Sequence, residues 1–416
     1  MRVFKFGGAS VKDANGVKNL ATVLKKTGYK DTLVIISAMG KTTNAIESVI
    51  KTYFEDKNQL NDALQDVIDF HNQILKNLFD NDRHQVFERV KFLFNEFAHF
   101  FKTNKSPDYS FVYDQTIGFG ELVSTTIISH YLKEIGLDNQ WLDVREYIKT
   151  DNYYRTANVD WETTQNNINS NLNRSVLNIT QGFIASDANN FTTTLGREGS
   201  DYTAAIFAYC LNANNVTIWK DVPGVLNADP RHFKHAQLLN QISYREAIEL
   251  AFYGASVIHP KTLQPLQQKE IPLYVKSFLD PEGNGTCVKK GKSLDPEIPC
   301  FIVKKNQTLI ALSSLDFSYI VEENISEIFR LLHFYKMKVD VIQNSAISFS
   351  VCVDNIYNNL EKLLQHLKAK FKVTCVNNVN LYTIRHYDEN AIKMLETDKT
   401  VLLKQLTQET VQMVTK

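Results

Sequence analysis

Apolar residues open this chain in two short runs, VFKF (residues 3–6) and TLVIISA (residues 32–38). Between them they recur every three or four positions. Short bounded runs read as buried strands, and the three-four spacing reads as an amphipathic helix. In DANGVKNLATVLKKTG, Asp13 offers an N-cap and Gly28 a stop. Strand, helix, strand predicts a βαβ unit in an open, mostly parallel sheet flanked by helices. From about residue 44 to residue 105 glycine and proline vanish and the helical spacing takes over. This stretch predicts an excursion of two or three helices. Its aromatic stripe of Tyr53, Phe54, Phe70, Phe87, Phe92, Phe94, Phe97, Phe100 and Phe101 is assigned to their core.

The α/β rhythm returns at Val112. Strands are expected at QWLDV, SVLNITQGFIA, NVTIWKDV and IPLYVKSF, and helices at SDYTAAIFAYCL and SYREAIELAFYG. Residues 280–300 are rich in proline and glycine and read as a linker. After it, QTLIALSSL, KVDVIQN, AISFSVCV and FKVTCV, with two intervening helices, spell β-α-β-β-α-β. NLYTIRHY, TVLLKQL and ETVQMVTK, with one helix, spell β-α-β-β. That is one complete α+β ferredoxin-like unit and a truncated second, without room for its last helix and strand. The expected division is a first domain over 1–290 and a second region over 300–416.

The bulk properties narrow the function. At 416 residues the chain is too long for one ordinary core. Its 46 basic and 46 acidic residues cancel, which argues against nucleic acid as a main partner. Five widely spaced cysteines without a CxxC pair fit reduced thiols. No apolar run approaches the roughly 20 residues of a membrane helix. Gly7 and Gly8 interrupt the N-terminal apolar run, so no signal peptide is read there. The expectation is a cytoplasmic protein without a membrane partner.

Four stretches carry chemistry. KFGGAS (residues 5–10) sets a lysine and two glycines at a strand end, which suits an anion such as phosphate or a plain tight turn. ISAMGKTTN (residues 36–44) is a second strand end with a small-residue loop. LGREGSDYTAA (residues 195–205) feeds a glycine loop into a helix whose first turn holds Asp201, an anion site by geometry. WKDVPGVLNADPR (residues 219–231) combines a Pro-Gly turn with Asp221, Asp229 and Arg231. No P-loop, dinucleotide fingerprint or protein-kinase motif set is present. His232 and His235 lack a second ligand pair, so no metal site is assigned.

These stretches, with FGE (residues 119–121) and ELAFYGASVIHPKT (residues 249–262), stand in the order found in aspartate kinases of the amino acid kinase family, which the chain resembles over about residues 1–290. The later part resembles that family's ACT regulatory region. The resemblance implies transfer of the γ-phosphoryl group of ATP, with Mg²⁺, to the side-chain carboxylate of L-aspartate. This is the first step toward lysine, threonine and methionine. It places Lys5 on the moving phosphoryl group, with Asp201 orienting it. Ser37, Thr43, Glu121, Arg197 and Ser200 would hold aspartate, Glu121 taking its ammonium and Arg197 its α-carboxylate. Gly7, Gly8, Ser10, Lys220, Asp221, Asp229, Arg231 and Lys261 would face the nucleotide. It further implies a homodimer and an amino-acid effector, lysine or threonine, at the ACT region.

The chain departs from the family pattern at several points. Ala9 stands where threonine is usual, and Glu198 where glycine is usual. A carboxylate at 198 would repel ATP unless it turned to solvent or found a cation. Ser256 replaces a lysine and Lys220 a threonine, so Lys220 or Lys261 is expected to restore the lost phosphate charge. Ala346 replaces a glutamate found in some lysine-sensitive relatives. Two other readings remain open at this point: a kinase for another amino-acid carboxylate, and a catalytically weak amino-acid sensor.

Overall fold

The structure is a computed structural model describing residues 1–255, 258–316, 318–397 and 399–416. Ser256 therefore lies outside the described residues. The chain divides into two compact units. The first comprises Met1–Val225, Leu238–Ile248 and Ile258–Ser293, and the second Leu226–Gln237, Glu249–Val257 and Leu294–Lys416.

The first unit begins with the predicted βαβ: β1 (Arg2–Phe6), α1 (Ala14–Thr27) and β2 (Thr32–Ile36). The Asp13 carboxylate accepts the Gly16 N–H at 2.8 Å and starts α1, and Gly28 at φ 79° ends it. Three long helices follow: α2 (Thr42–Glu55), α3 (Leu60–Leu78) and α4 (Gln85–Thr103). Tyr53, Phe94, Phe97 and Phe101 are buried there, but Phe54, Phe70 and Phe92 are exposed, so the aromatic stripe is core only in part. Neighbours in sequence point about 100° apart on a helix, and one face cannot take both Tyr53 and Phe54, or both Phe92 and Phe94.

Next come α5 (Tyr109–Ile117), α6 (Phe119–Glu134), β3 (Asn139–Leu142), α7 (Val144–Tyr147), α8 (Trp161–Asn171), β4 (Leu177–Gln181), β5 (Ile184–Ser186) and β6 (Thr192–Thr194). They are followed by α9 (Gly199–Leu211), β7 (Asn215–Lys220), β8 (Gln241–Ile242), α10 (Tyr244–Tyr253), α11 (Pro260–Gln268), β9 (Leu273–Ser277) and β10 (Thr286–Val288). Within this unit the strands lie in the order β8-β10-β9-β7-β1-β2-β4-β3, and all pairings but β9 with β10 are parallel. β2 is buried at every residue, as a parallel strand covered on both faces must be. The order switches at β1, which pairs β2 on one side and β7 on the other. In open α/β sheets, ligands bind at the carboxyl ends of strands beside such a switch. Two expectations change here. The stretch read as a linker contributes β10 to the sheet. The run SVLNITQGFIA splits into β4 and β5 at Gly182 and at Phe183, whose φ is 74°.

The second unit is built on a six-stranded antiparallel sheet. Its elements are β11 (Cys300–Ser313), α12 (Glu322–Phe334), β12 (Lys338–Asn344), β13 (Ser348–Asp354), α13 (Leu360–Lys368), β14 (Lys372–Arg385), α14 (Glu389–Glu396), β15 (Val401–Leu406) and β16 (Thr410–Thr415). The order is β12-β13-β11-β14-β16-β15. FKVTCV and NLYTIRHY, read as two strands, are one 14-residue strand. The asparagine-rich VNNVN between them lies opposite a bulge in β11 instead of turning the chain. The second ferredoxin-like unit is shortened as expected, with α14 its one helix among the described residues. Its fourth strand position is filled from upstream, because residues 300–304 of β11 pair with 381–385 of β14. The larger core packs Ile328, Leu332, Phe349, Leu363 and Leu367 under the first half. A smaller one packs Ile384, Ala391, Leu395 and Met413 under the second, with Phe233 against it.

Candidate active site

Lys5 is the penultimate residue of β1, in register with Ile35 of β2 and Ile218 of β7. Its ammonium lies 2.6 Å from the Asp201 carboxylate, which the first turn of α9 presents from across the sheet end. Both side chains are largely buried, at 12% and 4% exposure. Gly8 is required for close approach: a Cβ there would stand 2.8 Å from the Gly40 carbonyl and 2.9 Å from that of Ala38. The loops after β1 and β2 thus lie backbone on backbone, tied by the Gly40 N–H to the Gly8 carbonyl at 3.0 Å. A cleft of about 410 Å³ opens over them, lined among others by Lys5, Gly8, Ser37, Thr43, Glu121 and Ser200. Asp201 and Lys220, at the end of β7, reach the same cleft.

On the far side, Ser37 donates its hydroxyl to Ser200 at 2.9 Å, while the Ser37 carbonyl accepts from Ser124 at 2.8 Å. Thr42 performs the local helix-start task, donating to the Met39 carbonyl at 2.6 Å. Its neighbour Thr43 lies on the cleft wall, its hydroxyl without a hydrogen-bond partner among the described residues. Glu121, in the first turn of α6, is buried, with one carboxylate oxygen lacking any partner among the described residues. Burial pushes its carboxyl up to about 8, against the Ala38 and Glu121 N–H groups, which favour the ion. A buried carboxyl with a vacant acceptor is a socket for a cation bearing hydrogen-bond donors.

Arg197 sits exposed on the turn between Gly196 (φ 79°) and Glu198 (φ 52°), with no hydrogen bond or ion pair among the described residues. Glu198 meets neither condition that the sequence set for its charge. It is half-buried on the wall of the same cleft, has no cation partner among the described residues, and accepts the His259 backbone N–H at 2.9 Å, just before α11. The left-handed backbone explains why glycine would be at home there.

Other assigned residues are placed differently. Ser10 is buried and donates to the Trp219 carbonyl at 3.3 Å. Lys261 donates to the Leu195 carbonyl at 3.3 Å and lies 4.8 Å over the Tyr202 ring. Burial lowers the pKa of its ammonium. Of the two lysines expected to restore phosphate charge, Lys220 is the one lining the cleft. Asp221 is exposed beyond β7. Asp229 and Arg231 belong to the second unit, where Arg231 donates to Asp229 Oδ2 at 2.6 Å and to Oδ1 at 3.0 Å and holds that carboxyl below its usual range. Gly7 lies beside the lysine, and a Cβ on it would stand 3.3 Å from the Lys5 ammonium. Asp114 was not singled out from the sequence, yet it is buried and accepts four hydrogen bonds. No motif marks it; only its partners, distant in sequence, reveal it.

The sequence model of the amino acid kinase family matches residues 1–277. Lysine-sensitive aspartokinase 3 of Escherichia coli (strain K12) is 33% identical over 357 residues, covering 85% of this chain and 78% of that protein. The chain belongs to the aspartokinases of the amino acid kinase family. Among solved aspartokinase structures, E. coli aspartokinase III in complex with aspartate and ADP superimposes with a TM-score of 0.80 at 28% identity. It covers 100% of this chain and 96% of that one. The same enzyme in complex with lysine and aspartate gives 0.83, covering 100% and 95%. A bifunctional aspartokinase/homoserine dehydrogenase 2 from Arabidopsis thaliana is 29% identical over 386 residues, covering 89% of this chain and 42% of that protein. Among the described residues no helix is long and apolar enough to cross a membrane.

Proposed function

We propose that this aspartokinase transfers the γ-phosphoryl group of MgATP to the side-chain carboxylate of L-aspartate, giving 4-phospho-L-aspartate and ADP. The observation that carries the reading is the pairing, in one cleft, of a carboxylate-held ammonium at Lys5 with a vacant buried carboxylate oxygen at Glu121. The first suits a moving phosphoryl group and the second an amino-acid ammonium. Phosphoryl transfer needs positioning and stabilisation of spread negative charge more than covalent help. The acceptor carboxylate is already ionised near neutral pH, so no general base is needed. Lys5 neutralises the equatorial oxygens, and Asp201 fixes its ammonium. The Gly8 backbone and Lys220 face the phosphates. Ser37, Thr43 and Ser200 orient the acceptor, Glu121 takes its ammonium, and Arg197, unpaired among the described residues, takes its α-carboxylate in a bidentate fork.

Among the described residues no group of three or more His, Cys, Asp or Glu side chains could hold a metal ion. Mg²⁺ belongs to the nucleotide substrate, riding on its phosphates. We assign to the second unit an amino-acid effector, lysine or threonine, and a role in homodimer formation. The relative's lysine sensitivity supports the first of these. The test is hydroxylamine trapping with ATP and aspartate, with and without lysine or threonine. Hydroxamate formed with aspartate and not with other amino acids supports the reading. No hydroxamate at any aspartate concentration overturns it in favour of a sensor, and a different preferred acceptor overturns the substrate assignment.

A further inference from the structure

Asp114 lies in α5, is fully buried, and faces two segments far from it in the chain. Its two oxygens each accept the Arg155 N–H at 3.0 Å. One also accepts the Thr194 N–H at 2.9 Å, and the other the Thr194 hydroxyl at 2.9 Å. Arg155 is itself left-handed, at φ 71°, a backbone state that needs outside support in a residue with a Cβ. The two clamped segments are tied to each other as well, by the Ala157 N–H to the Thr194 carbonyl at 2.9 Å. Gly196 then packs on the clamped loop, since a Cβ there would stand 3.1 Å from Thr156 and 3.2 Å from the Arg155 carbonyl. Thr194, Leu195 and Gly196 lead directly into Arg197. The loop bearing Arg197, the guanidinium assigned to the proposed acceptor site, is therefore set from below by a single carboxylate.

We infer that Asp114 is a positioning residue for aspartate recognition: by binding the Arg155 and Thr194 donors together it aims the Arg197 loop at the α-carboxylate of the substrate. The inference rests on the Arg197 assignment above. An ionised carboxylate is the side chain that can only accept, and three backbone and hydroxyl donor groups converge here. An asparagine would turn an N–H₂ group toward those donors and break at least one bond. Burial raises the Asp114 carboxyl to about 6, while the four bonds and Arg155 oppose that rise, so the group is an anion under alkaline assay conditions. Among the groups around it, burial pushes the Tyr113 hydroxyl up to about 12, and the Arg155 guanidinium lies 4.5 Å over the Tyr113 ring and 3.8 Å from Glu47. Tyr113 is therefore neutral near about pH 8.

The test is a double-mutant cycle on the full chain, with initial rates against aspartate at saturating MgATP and about pH 8. Asp114→Asn is expected to raise the KM for aspartate about tenfold or more, since small misplacements of a binding group carry effects of that size. The KM for ATP is expected to stay within about twofold, a split that general loosening of the fold would not produce. Arg197→Ala is expected to raise the aspartate KM as well, and the double variant to rise no further than the larger single change. Thr194→Val removes one of the four bonds and is expected to act in the same direction with a smaller rise, which keeps the test open should Asp114→Asn not fold. An aspartate KM unchanged in both the Asp114 and Thr194 variants, beside a raised one in Arg197→Ala, overturns the positioning role alone. Multiplying effects in the double variant overturn it too. An unchanged aspartate KM in Arg197→Ala overturns the Arg197 assignment and the inference with it.

Discussion

Replacing Glu121 by glutamine keeps the side-chain shape and removes its ionisation. In the folded protein burial moves this carboxyl from 4.5 to about 8, a gap of about 3.5 pH units. Each unit is worth about 1.36 kcal/mol, so holding the anion in the fold costs at most about 5 kcal/mol. The sign follows from linkage. The folded pKa is raised, so the unfolded chain releases this proton first. The cost is absent below the unfolded value, grows as pH rises from 4.5 toward about 8, and is complete above it. In Glu121→Gln that pH-dependent cost disappears, while the amide can still accept the Ala38 N–H. The other end of the amide lacks an acceptor, a constant loss of about 1–3 kcal/mol. Being constant, it drops out of the pH dependence. Denaturant midpoints measured from about pH 5 to pH 8 should therefore diverge, the wild type losing about 3 kcal/mol relative to the variant across that range. Aspartate binding should move the opposite way. The socket loses its negative charge, and the KM for aspartate should rise about tenfold or more, the size expected for a buried charge-assisted hydrogen bond. In the wild type, kcat/KM for aspartate should climb as pH rises toward about 8, as Glu121 ionises. Parallel stability curves for the two proteins, together with an unchanged aspartate KM, would refute the reasoning at both ends.

Lys5→Ala and Asp201→Asn should each lower turnover by about 10² or more with little change in aspartate KM, because both act on transferring charge; a large KM change with normal turnover would move Lys5 out of the phosphoryl site. Lys220→Ala should lose turnover on a similar scale, on the order of 10². Lys261→Ala, whose ammonium is already committed to Leu195 and Tyr202, should lose far less; equal losses would contradict the placement of Lys220 as the phosphate-facing cation. Glu198→Ala removes the bond to His259 while keeping a Cβ at φ 52°, and should destabilise by about 2 kcal/mol. Glu198→Gly relieves the backbone and should cost about 1 kcal/mol less, read from urea unfolding; the reverse order would mean that the backbone there is unstrained.

The elements nearest the chemistry were legible because their signals are local. The start of α1 at Asp13, the short apolar run of β1 that carries Lys5, and the glycine turn feeding Asp201 into α9 all depend on residues within a few positions of one another. Spacing alone cannot say which distant group a side chain will meet. Thr42 meets the His71 ring at 3.4 Å, a contact 29 residues away that its sequence neighbourhood does not announce. Glu198 reads as a repulsive charge until α11 brings it the His259 N–H.

The tertiary structure alone decided that VNNVN continues a strand, because the partner strand β11 carries the matching bulge. It also decided that residues 300–304 complete the shortened second unit, and that Asp114 gathers Arg155 and Thr194. Local periodicity and turn chemistry act over a few residues, so sequence by itself determined most of the strands and helices and named the candidate reacting groups. Partners tens of residues apart are selected by packing in three dimensions, and that selection set which of those groups remain free to act.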